Sequence, residues 1–166
     1  AAAVLGAMRA ISELAVPLHV VGLIPASENL IDAAAYRPQD VLTASNGKTI
    51  EIISTDAEGR LLLADALVYA SRFQPDAVVD IATLTDSISV ALGNVNAGVF
   101  STDDTLTELL RASGASVFER VWPMPLMPEY RKVIDSDTAD MKNSGGPKGG
   151  ACVAAMFLKE FVDYKR

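Results

Sequence analysis

The sequence is poor in the side chains from which metal and nucleophile sites are most often built. It holds one histidine, His19, and one cysteine, Cys152. A lone histidine excludes a His-rich zinc site and a His-based triad assembled within this chain. A lone cysteine excludes an internal disulfide, which fits a reducing compartment. Positive charge is also in deficit: 14 Lys and Arg face 21 Asp and Glu, a net charge of −7. That balance argues against a nucleic-acid partner and for a soluble protein. No apolar run reaches membrane-spanning length, so no membrane partner is expected. Ala1 to Ala7 is apolar but lacks a basic leading segment, so it does not read as a signal peptide. There is no internal repeat, low-complexity tract or second-domain boundary.

What is present suits one domain with a sizeable core: 166 residues, half of them apolar. Val4, Leu5, Met8, Ile11 and Leu14 fall at helical spacing, and Pro17 ends that helix. Leu18 to Ile24 is a continuous apolar run, expected as a strand buried on both faces, with His19 as a core residue. Val41–Ala44 and Lys48–Ile53 flank Ser45-Asn46-Gly47, a strong hairpin signal. Leu61 to Phe73 reads as a helix and Asp76 to Ala82 as a second buried strand. A short helix is expected at Ile88–Leu92 and a strand at Gly98–Ser101. A helix at Thr105–Ala112 would be capped by Asp103 or Asp104. A last helix, Ala151 to Tyr164, follows Gly145-Gly146-Pro147-Lys148-Gly149-Gly150. That alternation predicts an α/β fold, with a central, mostly parallel sheet and helices on both faces in three layers.

One stretch concentrates chemistry. Ser54-Thr55-Asp56-Ala57-Glu58-Gly59-Arg60-Leu61 joins the second hairpin strand to a helix, where α/β proteins usually bind ligands. If the backbone there is extended, Asp56 and Glu58 point the same way, about 7 Å apart along the strand. Two converging carboxylates suit a divalent cation, and Arg60 suits an anion beside it. Gly59 would permit a positive φ at a sharp turn. The same residues also fit a surface turn, with Asp56 capping the helix, Glu58 favouring its dipole and Arg60 solvated. Spacing alone leaves both readings open.

Thr55-Asp56-Ala57-Glu58-Gly59-Arg60-Leu61, followed by Ala64-Asp65-Ala66-Leu67, resembles the N-T-D-A-E-G-R-L…A-D-A-L signature of the leucyl aminopeptidases, the cytosol aminopeptidases. The likeness runs along nearly the whole chain. Pro38-Gln39-Asp40-Val41 resembles the family's P-G-D-V, Trp122-Pro123-Met124-Pro125 its W-x-M-P region, and Ala139-Asp140-Met141-Lys142-Asn143 its A-D-x-x-N segment. The resemblance implies a dimetal exopeptidase that acts on peptides, assembles as a homo-hexamer and works in the cytoplasm. It implies two divalent ions, zinc with manganese or magnesium as alternatives, that activate a water. By motif position Asp56 and Glu58 are metal ligands, Glu58 the bridging one. Arg60 matches the family arginine that holds a bicarbonate. Thr83-Leu84-Thr85 resembles the A-T-L-T-G segment of the substrate site, so Thr83 and Leu84, with Ala57, are expected to contact substrate.

Some of the family pattern does not carry over. A lysine and two aspartates that complete the metal set, and a catalytic lysine, belong to segments that would precede Ala1. The chain is therefore expected to be part of a single catalytic peptidase domain lacking its upstream segment. Ser54 stands where the family has Asn, Gln39 where it has Gly, and Asp86 where a Gly follows the last Thr. Ser54 and Asp86 motivate an alternative: a catalytically weak or inactive member with a structural or interaction role. A nucleotide-binding module is disfavoured, because the Gly-rich loop before the last helix lacks the G-x-x-x-x-G-K-[ST] spacing.

Overall fold

The computed structural model describes residues 1–164; Lys165 and Arg166 lie outside the described residues. The hairpin forms where the Asn-Gly signal placed it. β1 (Val41–Thr43) and β2 (Thr49–Glu51) pair antiparallel, Leu42 opposite Ile50. Gly47 takes φ 88° at the turn, which an L side chain resists. Asp65, from the A-D-A-L segment, staples this turn to the following helix: its Oδ1 accepts the Ser45 amide at 2.8 Å.

α2 (Gly59–Ala70) runs into a short 3-10 turn, Ser71–Phe73, so the helix expected over Leu61–Phe73 is present with its last turn tightened. Ala64, Leu67 and Ala70 form its buried stripe. They face α6 (Gly150–Lys159), in which seven residues are buried: Ala151, Cys152, Val153, Ala154, Met156, Phe157 and Leu158. A helix apolar nearly all round is a core helix. Phe157, Val153, Ile50, Ile52, Met141 and Ile134 complete the centre of the core. Gly150 allows α6 to start against α3 (Asp86–Leu92), because a Cβ there would collide with Ser87 Oγ.

The other elements are short. α1 (Ala2–Glu13) agrees with the expected first helix. β3 (Ala97–Val99) pairs parallel with β4 (Val121–Pro123), Gly98 opposite Trp122. Between them α4 (Asp104–Ser116) is capped by Asp103, whose carboxylate accepts the Leu106 amide at 2.7 Å. α5 (Glu129–Lys132) leads to β5 (Met141–Lys142), which lies parallel to β2 on the side away from β1.

The α/β class is therefore as expected, and two of the three strand pairings are parallel. Two expected strands are not formed. Leu18–Ile24 and Asp76–Ala82 carry no strand, and Leu18, Val20, Val21, Val79 and Ile81 are exposed, as is His19. The described residues thus hold a three-stranded and a two-stranded sheet instead of one central sheet. A strand needs a neighbour for its amides and carbonyls, and neither run has one among the described residues. The expected core role of His19 falls for the same reason.

The polar loop before β1 contains a second surprise. Gln39 adopts φ 78° while its amide donates to the Ile52 carbonyl at 2.7 Å, and the Ile52 amide donates to the Asp40 carbonyl at 2.9 Å. The turn thus keeps a glycine-like conformation without glycine. Left-handed backbone costs an L residue about 1–2 kcal/mol, and glycine's extra unfolded-state entropy offsets about half of that. Gln39→Gly is expected to raise Tm by about 2 °C. A lower Tm in a thermal melt would show that the side chain repays its strain elsewhere.

A charge cluster ties α6 to the hairpin. Lys48 Nζ lies 2.7 Å from Glu160 Oε2, and Arg131 Nε lies 3.0 Å from Glu160 Oε1. Burial pushes the Glu160 carboxyl up, but the Lys48 ammonium and the Arg131 guanidinium more than offset it and hold it below its ordinary value. A depressed carboxyl contributes stability above its unfolded pKa and loses it as pH falls through the folded value. Tm is therefore expected to drop on acidification below about pH 4.3, the ordinary glutamate value. Glu160→Gln should show a lower Tm at neutral pH and a shallower acid limb. Parallel limbs for the two proteins would remove Glu160 as a source of the acid sensitivity.

Candidate active site

The strand that leads to the Asp56–Glu58 segment ends at Glu51, earlier than the sequence suggests. Residues Thr55 and Asp56 form a turn, and Glu58, at φ −75° and ψ −37°, is already helical. The two carboxylates are therefore not presented from extended backbone, and the same-side argument from strand alternation does not hold. Gly59 is the first residue of α2 and not a positive-φ turn. Its lack of a side chain matters in a different way: a Cβ there would lie 3.6 Å from Leu84 Cδ1, so the loop before α3 packs directly on the start of α2.

The surface-turn reading fails at two residues. Asp56 does not cap α2; the N-cap is Glu58, which makes no side-chain capping bond. Arg60 is not solvated. It is 7 % exposed, and its Nη1 donates to the Asn143 carbonyl at 2.7 Å. Burial pushes the Arg60 guanidinium down from its ordinary value, and the Glu58 charge pulls it back up. Burial, with Glu58 again contributing, pushes the Tyr36 phenol up; the Tyr36 hydroxyl lies 3.5 Å from the Thr55 carbonyl. Glu58 is therefore electrostatically close to both Arg60 and Tyr36.

Two polar atoms in this cluster are buried with no partner, Glu58 Oε2 and Arg60 Nε. A buried charged group without a partner is costly, and native structures rarely keep one without cause. Here an acceptor of negative charge and a donor of positive charge are both left open, two residues apart. A cation would satisfy the first and an oxyanion the second. Asp56 is exposed beside them. The donor set fits a hard or borderline divalent ion. Among the described residues no group of three or more His, Cys, Asp or Glu side chains converges, so Asp56 and Glu58 are a partial ligand set.

Of the other anticipated residues, Ala57 lies between the carboxylates and half-buried, its carbonyl 3.4 Å from Asn143 Nδ2. Leu84 is half-buried and packs against both Gly59 and the core. Thr83 is exposed. Sequence reasoning passed over Asn143 and Tyr36 as parts of this cluster. For Asn143 the signal was only its place in the A-D-x-x-N likeness. For Tyr36 there was none, since its segment reads as an irregular loop.

The match to known proteins covers the whole chain. A family model described as "Cytosol aminopeptidase family, catalytic domain" matches residues 1–166. The chain belongs to the cytosol aminopeptidase family. It is 51% identical over 166 residues to a probable cytosol aminopeptidase of Geobacter sulfurreducens, covering 100% of this chain and 34% of the relative. A probable cytosol aminopeptidase of Acinetobacter baumannii is 52% identical over 166 residues, covering 99% of this chain and 34% of the relative. A solved structure of a tomato leucine aminopeptidase mutant superposes with a TM-score of 0.91 at 47% identity, covering 98% of this chain and 32% of the tomato protein. The chain thus spans about a third of the cytosol aminopeptidases it matches. The fold described above is that of the corresponding third of the tomato enzyme. No helix among the described residues is long and apolar enough to cross a membrane.

Proposed function

We propose that this chain carries part of the active site of a metal-dependent aminopeptidase that removes N-terminal residues, bulky apolar ones first, from peptides. The observation that carries the reading is the pair of unpartnered buried atoms, Glu58 Oε2 and Arg60 Nε. It adds to the family membership, because neither a capping turn nor a core packing role accounts for it. In this reading Asp56 and Glu58 hold divalent cations, zinc with manganese or magnesium as alternatives. When bound, such a pair polarises the scissile carbonyl and supplies a nucleophile at neutral pH.

The chain's own residues have separable tasks. Glu58, half-buried at the start of α2, keeps its carboxylate aimed at one place because the helix fixes its backbone. Arg60 is anchored at Nη1 and open at Nε, so it can hold a bicarbonate through a two-donor fork without swinging away. Ala57, Thr83 and Leu84 border the place where the substrate would lie, and Leu84 supplies apolar surface toward α2. The remaining ligands and an electrophilic lysine would come from outside this chain. Homo-hexameric assembly and a cytoplasmic location belong to the same reading; the cytosol in the names of the relatives supports the second.

The test is made on the full-length protein. Zinc per chain is counted after dialysis, and hydrolysis of a Leu-amide is followed before and after chelation. About two ions per chain and activity that is lost on chelation and restored by zinc or manganese are expected. No bound metal, or hydrolysis indifferent to chelation, would end the reading.

A further inference from the structure

We infer that Asn143 is a positioning residue for the metal-binding segment and for Arg60 at once. The inference rests on the aminopeptidase reading for what is positioned, but on geometry alone for the positioning itself. Asn143 is 0 % exposed, and it follows directly on β5. The β2–β5 ladder stops at Glu51 opposite Lys142, and the Asn143 amide makes the next bond, to the Glu51 carbonyl at 2.9 Å. Beyond that point the chain leaving β2 has no strand beside it on this flank among the described residues.

The Asn143 carboxamide takes the place of one. Its Oδ1 accepts the amides of Ile53 at 2.8 Å and Ser54 at 3.2 Å. Its Nδ2 donates to the carbonyls of Ser54 at 2.7 Å and Ala57 at 3.4 Å. Two N–H groups on one side and two carbonyls on the other define which end of the amide is which. Four backbone groups of residues 53–57, the run that contains Asp56 and leads into Glu58, are thereby satisfied by one side chain. The Asn143 carbonyl then accepts from Arg60 Nη1 at 2.7 Å. A single residue thus references both the carboxylate loop and the guanidinium to β5. Without it, the loop would keep the 3.3 Å bond from the Ala57 amide to the Ser54 carbonyl and the 3.5 Å contact of the Tyr36 hydroxyl with the Thr55 carbonyl.

The obligation is chemical as well as steric. Asp at 143 has the same shape but turns two donor contacts into oxygen facing oxygen. Ser keeps a hydroxyl that reaches one amide and one carbonyl at most. Asp140 provides a matched control at the other end of the same strand pair. Its carboxylate accepts the Thr49 amide and hydroxyl, both at 2.7 Å, and touches nothing in the site.

Asn143→Asp, Asn143→Ser and Asp140→Ala are made in the full-length protein. Each is measured for Tm, for amide exchange over residues 53–58 in the metal-free state, for zinc affinity by chelator competition, and for kcat and KM. Both Asn143 variants are expected to speed exchange at Ile53 and Ser54 at least tenfold. Zinc affinity and kcat should each fall about 10–100-fold, the usual effect of removing a group that orients a ligand, with KM nearly unchanged. Asp140→Ala should lower Tm while leaving zinc affinity and kcat within about twofold. The inference is overturned if exchange over 53–58 is unchanged in the Asn143 variants, whatever zinc does. It is also overturned if Asp140→Ala weakens zinc as much as they do, or if both Asn143 variants fail to fold. Absence of zinc binding in the unsubstituted protein would overturn the aminopeptidase reading instead, and the exchange result would still decide whether Asn143 holds the segment.

Discussion

Glu58→Gln in the full-length protein is expected to lower kcat by about 10³-fold while leaving the metal-free fold about as stable. The two halves of that result come from the same atom. Glu58 Oε2 is buried and has no hydrogen-bond partner, so the metal-free fold draws no hydrogen bond from it. Gln is nearly isosteric and leaves the metal-free packing in place. Arg60 loses the opposing charge that raises its pKa, a small loss at most. Tm without metal should therefore stay level within one or two degrees. With metal it should fall, because a carboxamide is a poor ligand for a hard cation. Lewis-acid catalysis contributes several kcal/mol, and about 4 kcal/mol corresponds to a factor near 10³. Steady-state kinetics with Leu-amide and paired melts with and without zinc read both halves. A Glu58→Gln protein with near-normal kcat would remove Glu58 from the metal site. A large loss of metal-free Tm would mean that Glu58 serves the fold.

Arg60→Lys is expected to reduce kcat by about 10²-fold with little change in KM. Lysine keeps a positive charge but offers a single point donor where arginine presents a rigid fork. In the structure one corner of that fork is committed to the Asn143 carbonyl and another, Nε, is free. A lysine ammonium can serve one of these needs and not both. Loss of one preorganised donor at a reacting oxyanion typically costs about 10²–10³ in kcat, and the lower end is expected for the bicarbonate that Arg60 would hold beside the reacting atoms. Burial adds a pH signature. The environment that lowers the Arg60 guanidinium cannot neutralise it near pH 7, but it acts on a lysine with a much lower starting value. The variant's activity should therefore fall at alkaline pH where the parent's does not. A pH–kcat profile for both proteins checks this. A variant within about threefold of the parent at every pH would show that charge alone matters at position 60.

The local elements were legible where the signal is local. The Asn-Gly hairpin, a cap at Asp103 or Asp104, the first helix and the start of the last helix follow from turn chemistry and from local pattern, which need no distant partner; the last helix ends at Lys159, short of the expected Tyr164. Leu18–Ile24 and Asp76–Ala82 were not, because a continuous apolar run says that a segment wants burial but not what will cover it. Among the described residues these runs have no neighbouring strand, and most of their apolar side chains remain exposed. Gln39 is a different kind of miss. Its φ of 78° is imposed by backbone bonds to Ile52, thirteen positions away, against the preference of its own side chain.

For the site, the sequence by itself determined which groups are available: two carboxylates, a glycine and an arginine within five positions, with one histidine and one cysteine elsewhere to compete. It also determined the family, since that motif and its neighbours are specific over nearly the whole chain. It could not separate a ligand cluster from a solvated turn, because both use the same residue types at the same spacing. Only the tertiary structure removed the solvated turn, by burying Arg60. Folding α2 under the end of β5 buries Arg60 against the Asn143 carbonyl and seals Glu58 Oε2 away from water. Burial is a property of what surrounds a side chain, and here the surroundings come from a residue 83 positions further along the chain.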